Sequence, residues 1–364
     1  MAADVSCPSL TEPLHSLPPQ PEGVPWPTAD WPTGPVPSAV DLGPVLDAAF
    51  DEEGPLATTY AVVVVHQGRL VAERYGGALP HFDRPPLPVE RDTPLLSWSM
   101  AKSVLHTAVG LLVGEGRLDP DAPAAVPEWT APGDPRGAIT LDLLLQMRDG
   151  LDFAEDYEDE RASDVIEMLF GGGSDDVARF AADRPLAAPP GERFNYSSGT
   201  SNIVSGIVAR LLGPGDPYRR FLEERLFGPL GMRSATPTFD DAGTWVASST
   251  LHATARDFAR FGLFILRDGW WEGTRLLPEG WVDGGRRPRS VDDEGGIFGR
   301  HWWVEGDDLG TFRASGFHGQ YVLLCPDLDL VVVRLGDTGP EHKEELVAWR
   351  ASAVAAFARA PAAG

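Results

Sequence analysis

Cysteine is almost absent from this chain, and its scarcity excludes several classes of protein. Cys7 and Cys325 stand alone in 364 residues. Two cysteines are too few for a disulfide framework or a zinc site. We also expect no metal and no cofactor. No apolar run reaches the ~18 residues of a membrane span, and the first residues lack the regions of a signal peptide. The sequence therefore predicts a cytoplasmic protein that does not bind membranes.

Positive charge is also scarce. The chain carries 30 basic and 54 acidic residues, for a formal net charge of −24. Such a charge repels nucleic acid and anionic membrane surfaces, and it favours neutral or cationic ligands. We expect a small-molecule substrate rather than a nucleic acid, and leave monomer or homodimer open.

Lysine is the rarest charged residue, because only Lys102 and Lys343 occur. Arginine keeps its proton near neutral pH, whereas a buried lysine can lose it. Lys102 follows Ser99 by three residues at the start of an apolar run that ends near Gly114, and this spacing puts both on one helix face. Ser99 then lies at a helix N-terminus, which favours developing negative charge. The pair reads as a nucleophile and its base, or as a surface lysine beside a capping serine.

The order of the predicted elements suggests a two-part fold. Strands at 58–66 and 69–75 form a hairpin, helices fill the middle, a helix is expected at 250–267, and strands return at 320–325 and 330–335 before a terminal helix at 341–359. We expect a mixed α/β (α+β) fold in which one antiparallel sheet joins both chain ends and helices flank it. The expected domains are a sheet domain of residues 41–118 and 236–364, an inserted all-helical lobe of residues 119–235, and an extended N-terminal arm of residues 1–40.

The arm holds ten of the 34 prolines. Its composition fits an extended segment held against the body by Trp26 and Trp31, and it fits a free tail equally well.

Three motifs in order resemble those of the serine β-lactamase and penicillin-binding-protein superfamily. The first is Ser99 with Lys102. The second is Tyr196-Ser197-Ser198 in the helical middle, where asparagine often takes the last place. The third is expected on a strand that lines the cleft, and its best candidate is Phe317-His318-Gly319, which lacks the usual leading cation. The resemblance covers roughly residues 40–360 and implies a β-lactamase/transpeptidase-like fold.

Within this superfamily the chain looks most similar to class-C-like esterases and 6-aminohexanoate-dimer hydrolases. The stretches 150–157 (Gly-Leu-Asp-Phe-Ala-Glu-Asp-Tyr) and 316–320 (Gly-Phe-His-Gly-Gln) carry that likeness. The resemblance implies that Ser99 forms an acyl-enzyme, that Lys102 takes its proton, and that Tyr196 relays a proton to the leaving group. It also implies that the backbone N–H groups of Ser99 and Gln320 bind the oxyanion.

Other residues are expected near the substrate. Ser198 and Gly319 belong to the second and third motifs. The resemblance implies that Tyr157 hydrogen-bonds the departing amine, and the alternative is a tyrosine that packs on the helical lobe. His318 either lines the acyl pocket or makes a structural hydrogen bond.

The stretch 152–160 either attracts an ammonium group or is a solvated loop. Its acidic members are Asp152, Glu155, Asp156, Glu158, Asp159 and Glu160.

The expected activity is hydrolysis of a small ester or linear amide. Phe317 stands where a cation usually meets the carboxylate of a β-lactam, so weak or no β-lactamase activity is expected, which nitrocefin tests. The alternatives are a carboxylesterase, a weak β-lactamase or D-amino peptidase, and a sensor or binding domain that is acylated without turnover.

Overall fold

The computed structural model describes residues 13–56, 58–80, 85–157 and 163–358. The helices are α1 Gly43–Ala49, α2 Met100–Gly114, α3 Leu141–Leu145, α4 Asp164–Phe170, α5 Val177–Ala182, α6 Ser198–Leu212, α7 Asp216–Leu222, α8 Gly228–Leu230, α9 Ala255–Leu266, α10 Trp281–Arg286 and α11 Lys343–Ala358. The strands are β1 Thr59–His66, β2 Arg69–Tyr75, β3 Ala78–Leu79, β4 Leu87–Pro88, β5 Leu95–Leu96, β6 Thr236–Pro237, β7 Leu251–Ala253, β8 Trp270–Trp271, β9 Thr274–Arg275, β10 Ser290–Val291, β11 Ile297–Phe298, β12 Trp303–Val304, β13 Phe312–Gly316, β14 Gln320–Cys325 and β15 Leu330–Gly336.

Strands from both ends of the chain form one antiparallel sheet. Within the described residues it has eight strands in the order β10-β11-β12-β13-β14-β15-β1-β2. Strand β1 lies between β15 and β2, where Val63 is paired with Val333 on one side and Glu73 on the other. A continuous run of β-branched residues suits such a strand, because both of its faces are buried. The predicted fold class and the predicted hairpin are confirmed.

The two faces of the sheet bury separate hydrophobic cores. Val63 and Val65 of β1 point into the larger core with α2 and α9, whereas Val62 and Val64 point into a smaller core with α1 and α11. This alternation follows from the two-residue period of a strand. Helix α9 packs closely, since a Cβ on Gly262 would lie 2.7 Å from Val322 and Val331 side chains.

The segment 250–267 differs from its prediction as a single helix. Residues 251–253 form strand β7, which pairs with β5 immediately before Ser99, and α9 begins only after Thr254. The Thr254 side chain caps α9 by accepting the Asp257 N–H at 3.2 Å. Capping by threonine ends the strand and starts the helix within one residue.

The described part of the arm, residues 13–40, lies along the body. Trp26 packs on Trp271 with ring centroids 4.9 Å apart, and Trp31 is only 7% exposed. Leu70 of β2 donates to the Pro32 carbonyl and accepts from Gly34, which adds a short parallel bridge to the sheet edge. In the described residues, no helix combines the length and apolar character needed to cross a bilayer.

Candidate active site

Ser99 lies at the first turn of α2, and the backbone of the residue before it is strained. The preceding residue, Trp98, has a φ of +46°, in the left-handed region that a bulky residue rarely adopts. Strand β5 leads into this turn, and the Ser97 carbonyl approaches Gly316 so closely that a Cβ there would collide with it. Glycine at 316 therefore lets the hairpin of β13 and β14 lie directly beside the nucleophile's turn.

Lys102 lies one helical turn after Ser99 and is 2% exposed. Its Nζ is 2.9 Å from Ser99 Oγ, 3.0 Å from Ser198 Oγ and 2.9 Å from the Ser248 carbonyl oxygen. The Ser248 carbonyl can only accept, and Ser198 donates its single hydroxyl proton to Glu155 at 2.6 Å. A neutral Lys102 therefore directs two N–H groups to these two acceptors and its lone pair to Ser99.

Burial also prepares Lys102 to act as a base. It lowers the pKa of Lys102 from 10.5 to about 8, although the nearby negative charge of Glu155 acts in the opposite direction. Desolvation disfavours the ammonium form, so an appreciable fraction of the amine is neutral near physiological pH. The interpretation of this pair as a surface lysine beside a capping serine does not fit, because Lys102 is buried and Ser99 makes no capping hydrogen bond through its side chain.

Tyr196 reaches the same point from the segment that precedes α6. It precedes α6, whose cap Ser197 accepts the Thr200 N–H at 3.0 Å. Its ring packs against Phe298 and Trp303, and Lys102 Nζ lies 5.0 Å from the ring centroid. Burial raises the pKa of Tyr196, and a hydrogen bond with the Ser99 side chain works against that rise. The phenol thus stays protonated and can serve as a proton donor to an atom at Ser99.

Glu155 is the site residue that sequence reasoning missed, because its acidic stretch could equally be a solvated loop. Its carboxylate accepts the Ser198 N–H at 2.7 Å, the Ser198 hydroxyl and the Tyr157 hydroxyl, the last at 2.9 Å. This places a negative charge at the N-terminus of α6, where the helix dipole favours it. The available signal was its position two residues before Tyr157 in the 150–157 stretch. The acidic residues 158–160 lie outside the described residues.

Comparison with known proteins places these motifs in a family. A family model described as Beta-lactamase matches residues 52–357. The chain belongs to this beta-lactamase family. It is 32% identical over 299 residues to the 6-aminohexanoate-dimer hydrolase of Paenarthrobacter ureafaciens, a match that covers 76% of this chain and 72% of that relative. The predicted family and the prediction of a serine hydrolase are confirmed.

Solved structures agree on the fold of this family member. A Bacillus anthracis protein provisionally named a 6-aminohexanoate-dimer hydrolase matches with a TM-score of 0.72 and 22% identity, over 94% of this chain and 90% of the other. A family VIII carboxylesterase matches with a TM-score of 0.67 and 16% identity, over 88% and 99% of the two chains. At these identities the likeness establishes the β-lactamase/transpeptidase-like fold.

The third motif does not have the local structure that the sequence predicted. Residues 317–319 form a short 3-10 turn between β13 and β14 rather than part of a strand, and it is Ser315, Gly316 and Phe317 that line the pocket. Gln320 pairs with Gly316 across the hairpin, and its side chain is buried against β15, where Oε1 accepts the Gly336 N–H at 2.9 Å. The turn directs the Gln320 side chain into the sheet, and Gln320 is absent from the pocket lining. The role of its backbone N–H in binding the oxyanion stays a prediction.

His318 and Gly319 also lie outside the pocket lining. His318 has a φ of +58° and pairs through Nδ1 with Asp337, so the structural hydrogen bond is the alternative that the geometry shows. The Gly319 carbonyl accepts from buried Arg334 at 2.7 Å, on the side of the turn that faces the core. Tyr157, by contrast, lines the pocket and stacks on Phe317 with centroids 4.9 Å apart.

The pocket that contains Ser99 has a volume of about 480 Å³. Its floor carries Ser99 and Tyr196, and aromatic walls come from Tyr157, Trp303 and Phe317. The remaining lining residues are Glu155, Asp292, Glu294, Gly295, Gly296, Ile297, Val304, Glu305, Arg313, Ser315, Gly316, Tyr321, Lys343, Val347 and Arg350. A hydroxyl, an amine of lowered pKa and a phenol thus converge beside a cavity of ordinary small-ligand size.

Proposed function

We propose that this protein hydrolyses an ester or a linear amide through an acyl-enzyme on Ser99. The observation that carries the proposal is the environment of Lys102, which is buried, has a lowered pKa and has Ser99 as the partner able to give it a proton. A nucleophile and a base in this geometry are the requirement for covalent catalysis.

In the acylation step, Ser99 Oγ bonds to the substrate carbonyl carbon as its proton passes to Lys102 Nζ. The negative charge on the carbonyl oxygen is stabilised by the Ser99 N–H and the dipole of α2, and the resemblance names the Gln320 N–H as the second donor. The bond to the leaving alcohol or amine then breaks, and the leaving atom takes the Tyr196 proton. The proton held by Lys102 then returns to Tyr196, so that the amine is neutral and the phenol protonated before water enters.

Deacylation reverses the roles with water as the nucleophile. Water gives its proton to the Lys102 and Tyr196 pair, attacks the acyl carbon, and releases the carboxylic acid as Ser99 regains its hydrogen. Glu155 offsets the positive charge that Lys102 acquires in each step, and it holds Ser198 and Tyr157 in place. The resemblance assigns Tyr157 to the departing amine of an amide substrate.

The similarity to a 6-aminohexanoate-dimer hydrolase supports a linear amide as the substrate of this protein. The similarity to the carboxylesterase extends only to the fold. Hydrolysis of p-nitrophenyl butyrate and of the aminohexanoate dimer by the same preparation separates the two. A protein that cleaves only the ester is a carboxylesterase. A protein that keeps a stable adduct without turnover is an acylated sensor or binding domain.

Substitution of the three converging residues tests the mechanism. Ser99→Ala and Lys102→Ala should abolish both activities, and Tyr196→Phe should lower kcat by about 10²–10⁴, the usual contribution of a positioned proton donor. Arg256, a cation outside the pocket lining, provides the control as Arg256→Gln on the p-nitrophenyl butyrate reaction, which should keep its rate. Ester hydrolysis that survives Ser99→Ala would contradict the proposal.

A further inference from the structure

A small void lies beside Lys102 and Tyr196, and His301 forms part of its wall. We propose that His301 is a positioning residue for acylation, which fixes the distance between α2 and α6 and keeps water away from the Lys102 amine. This inference rests on the proposed hydrolase function, because it explains how Lys102 is prepared as the base. His301 does not line the substrate pocket, so it acts on the reaction through other residues.

Three hydrogen bonds join His301 to three helices. Its N–H donates to the carbonyl of Leu145, the last residue of α3, at 3.1 Å. Its carbonyl accepts from Ser103 Oγ of α2 at 2.7 Å, and its Nε2 lies 2.9 Å from Ser201 Oγ of α6. His301 is 3% exposed and has a φ of +58°, a conformation that such a residue keeps only where surrounding contacts hold it. One residue between β11 and β12 therefore links three helices.

Two of these hydrogen bonds lie next to the reacting groups. Ser103 directly follows Lys102, and Ser201 comes one helical turn after Ser198. Lys102 Nζ reaches across from α2 to α6, where it lies 3.0 Å from Ser198 Oγ. A change in the separation of the two helices would alter this contact. The hydrogen bonds of His301 therefore set the position of the amine.

The His301 ring also keeps the surroundings of the amine free of water. The void between them is too small to hold a water molecule. Burial is what lowers the pKa of Lys102, and this effect depends on the exclusion of water from the amine. The ring fills the space without adding charge, because burial and the nearby charge of Lys102 lower the pKa of His301 to about 3. It therefore favours the neutral amine.

The other titratable groups around Lys102 come from separate elements. Glu155, in the segment before α4, raises the pKa of Lys102, and the Tyr196 ring centre lies 5.0 Å from Lys102 Nζ. His106 of α2 lies near His301, and burial holds the pKa of His106 well below its usual value. Substitution of His301 leaves the charges of Glu155 and Tyr196 unchanged. A change in the pKa of Lys102 in such a variant therefore reports on the His301 ring.

The amine of Lys102 can be observed directly, because Lys343 is the one other lysine of the chain. In protein labelled with [13Cε]lysine, an NMR titration gives two curves, and Lys343→Arg assigns them. Lys102 of the wild type should titrate at about pH 8. His301→Ala should raise this pKa by about one unit, a fraction of the roughly 3–5 units that full burial can cause. At about pH 7, kcat/KM for p-nitrophenyl butyrate should then fall roughly tenfold, and it should recover above about pH 10.

Two further variants separate the ring from its hydrogen bond. His301→Gln keeps a polar group near the place of Nε2 and most of the volume, so it should raise the pKa of Lys102 by less than His301→Ala. Ser201→Ala removes the partner of the ring and should also raise the pKa by a smaller amount. Because it deletes one oxygen atom, Ser201→Ala tests the proposal even if His301→Ala folds poorly.

Ser205 provides the matched control. It is a fully buried serine one turn further along α6, and its hydroxyl donates to the Trp245 carbonyl at 2.6 Å. Ser205→Ala should destabilise the fold about as much as Ser201→Ala does, because each removes one buried hydrogen bond. It should leave the pKa of Lys102 unchanged.

A pKa of Lys102 that is unchanged or lowered in both His301→Ala and Ser201→Ala would overturn the inference, and so would equal shifts in His301→Gln and His301→Ala. In either case, hydrolysis that still requires Ser99 would leave the proposed function intact. A wild-type protein that hydrolyses neither substrate, while the pKa of Lys102 responds as expected, would contradict the proposed function and leave the link between His301 and Lys102 in place.

Discussion

At the scale of single residues, the hydrogen-bond partners of Lys102 determine which group can give it a proton. Two of its partners, the Ser248 carbonyl and the Ser198 hydroxyl, are fixed as acceptors. Since these two take both N–H groups of a neutral Lys102, its lone pair is left for the Ser99 hydroxyl, 2.9 Å away, as the group that can give it a proton. The sequence predicted Ser99, Lys102 and Tyr196 from the rarity of lysine, the spacing of the first pair and the order of the motifs, and the structure brings the three together.

Glu155 shows what residue-level reasoning could not find. Its stretch is rich in acids, and a run of acids is usually solvated. Only the folded chain shows that the loop after Phe153 brings this one carboxylate to the N-terminus of α6, while Asp152 stays exposed. Local composition cannot distinguish one member of a charge run from the next, because their environments are set by tertiary contacts.

The charge of Glu155 should be visible in the pH dependence of the reaction. Activity requires the neutral amine, so kcat/KM should rise with pH through the pKa of Lys102, about 8. Glu155 stabilises the ammonium form and so raises that pKa. Glu155→Gln should therefore move the rising limb to lower pH, as measured with p-nitrophenyl butyrate from about pH 6 to 10. Asp152→Asn is the control and should leave the limb in place, and a limb that moves upward in Glu155→Gln would contradict this assignment.

At the scale of elements, the hairpin of β13 and β14 carries the largest difference between prediction and structure. A Phe-His-Gly triplet before an apolar strand looks like the start of that strand. The register pairs Gly316 with Gln320, so the three residues between them must turn. Hairpin register depends on pairing across strands, which periodicity within one strand does not reveal. The same limit explains why β7 was predicted as the beginning of a helix.

The hairpin turn should depend on the Gln320 side chain for its stability. Its amide donates to the Phe317 carbonyl at 2.9 Å and exchanges hydrogen bonds with the backbone of Gly336. Gln320→Ala leaves these buried groups unpaired and should lower the free energy of unfolding by about 2 kcal/mol. It should also lower kcat/KM, because Phe317 lines the pocket. Urea unfolding and ester hydrolysis measure the two effects.

His318, in the same turn, is the control for that substitution. Its pair with Asp337 is partly exposed, so His318→Ala should cost less than about 1 kcal/mol. Equal losses in both variants would show that the Gln320 hydrogen bonds are not what holds the turn.

At the scale of the whole molecule, strands from both ends of the chain pair in one sheet. The order of the elements in the sequence was enough to predict this pairing. Apolar strands at 58–66 and 330–335 need partners on both sides, and the helical middle cannot provide them. The boundaries of the helical lobe stay a prediction. The state of the arm could not be chosen from composition, because a Pro-rich segment is extended whether it is bound or free.

The described part of the arm packs on the folded body, so its contacts should contribute to the free energy of unfolding. Trp31 is 7% exposed and lies under Arg260, whose Cζ is 5.6 Å from its ring and whose Nε donates to the Pro27 carbonyl at 2.7 Å. Trp31→Ala removes a large buried ring and should lower the free energy of unfolding by about 3 kcal/mol. Trp270→Ala, which removes a ring that is 40% exposed, is the matched control and should cost much less. Urea unfolding of both variants decides the point, since an arm bound only loosely would make the two losses equal and small.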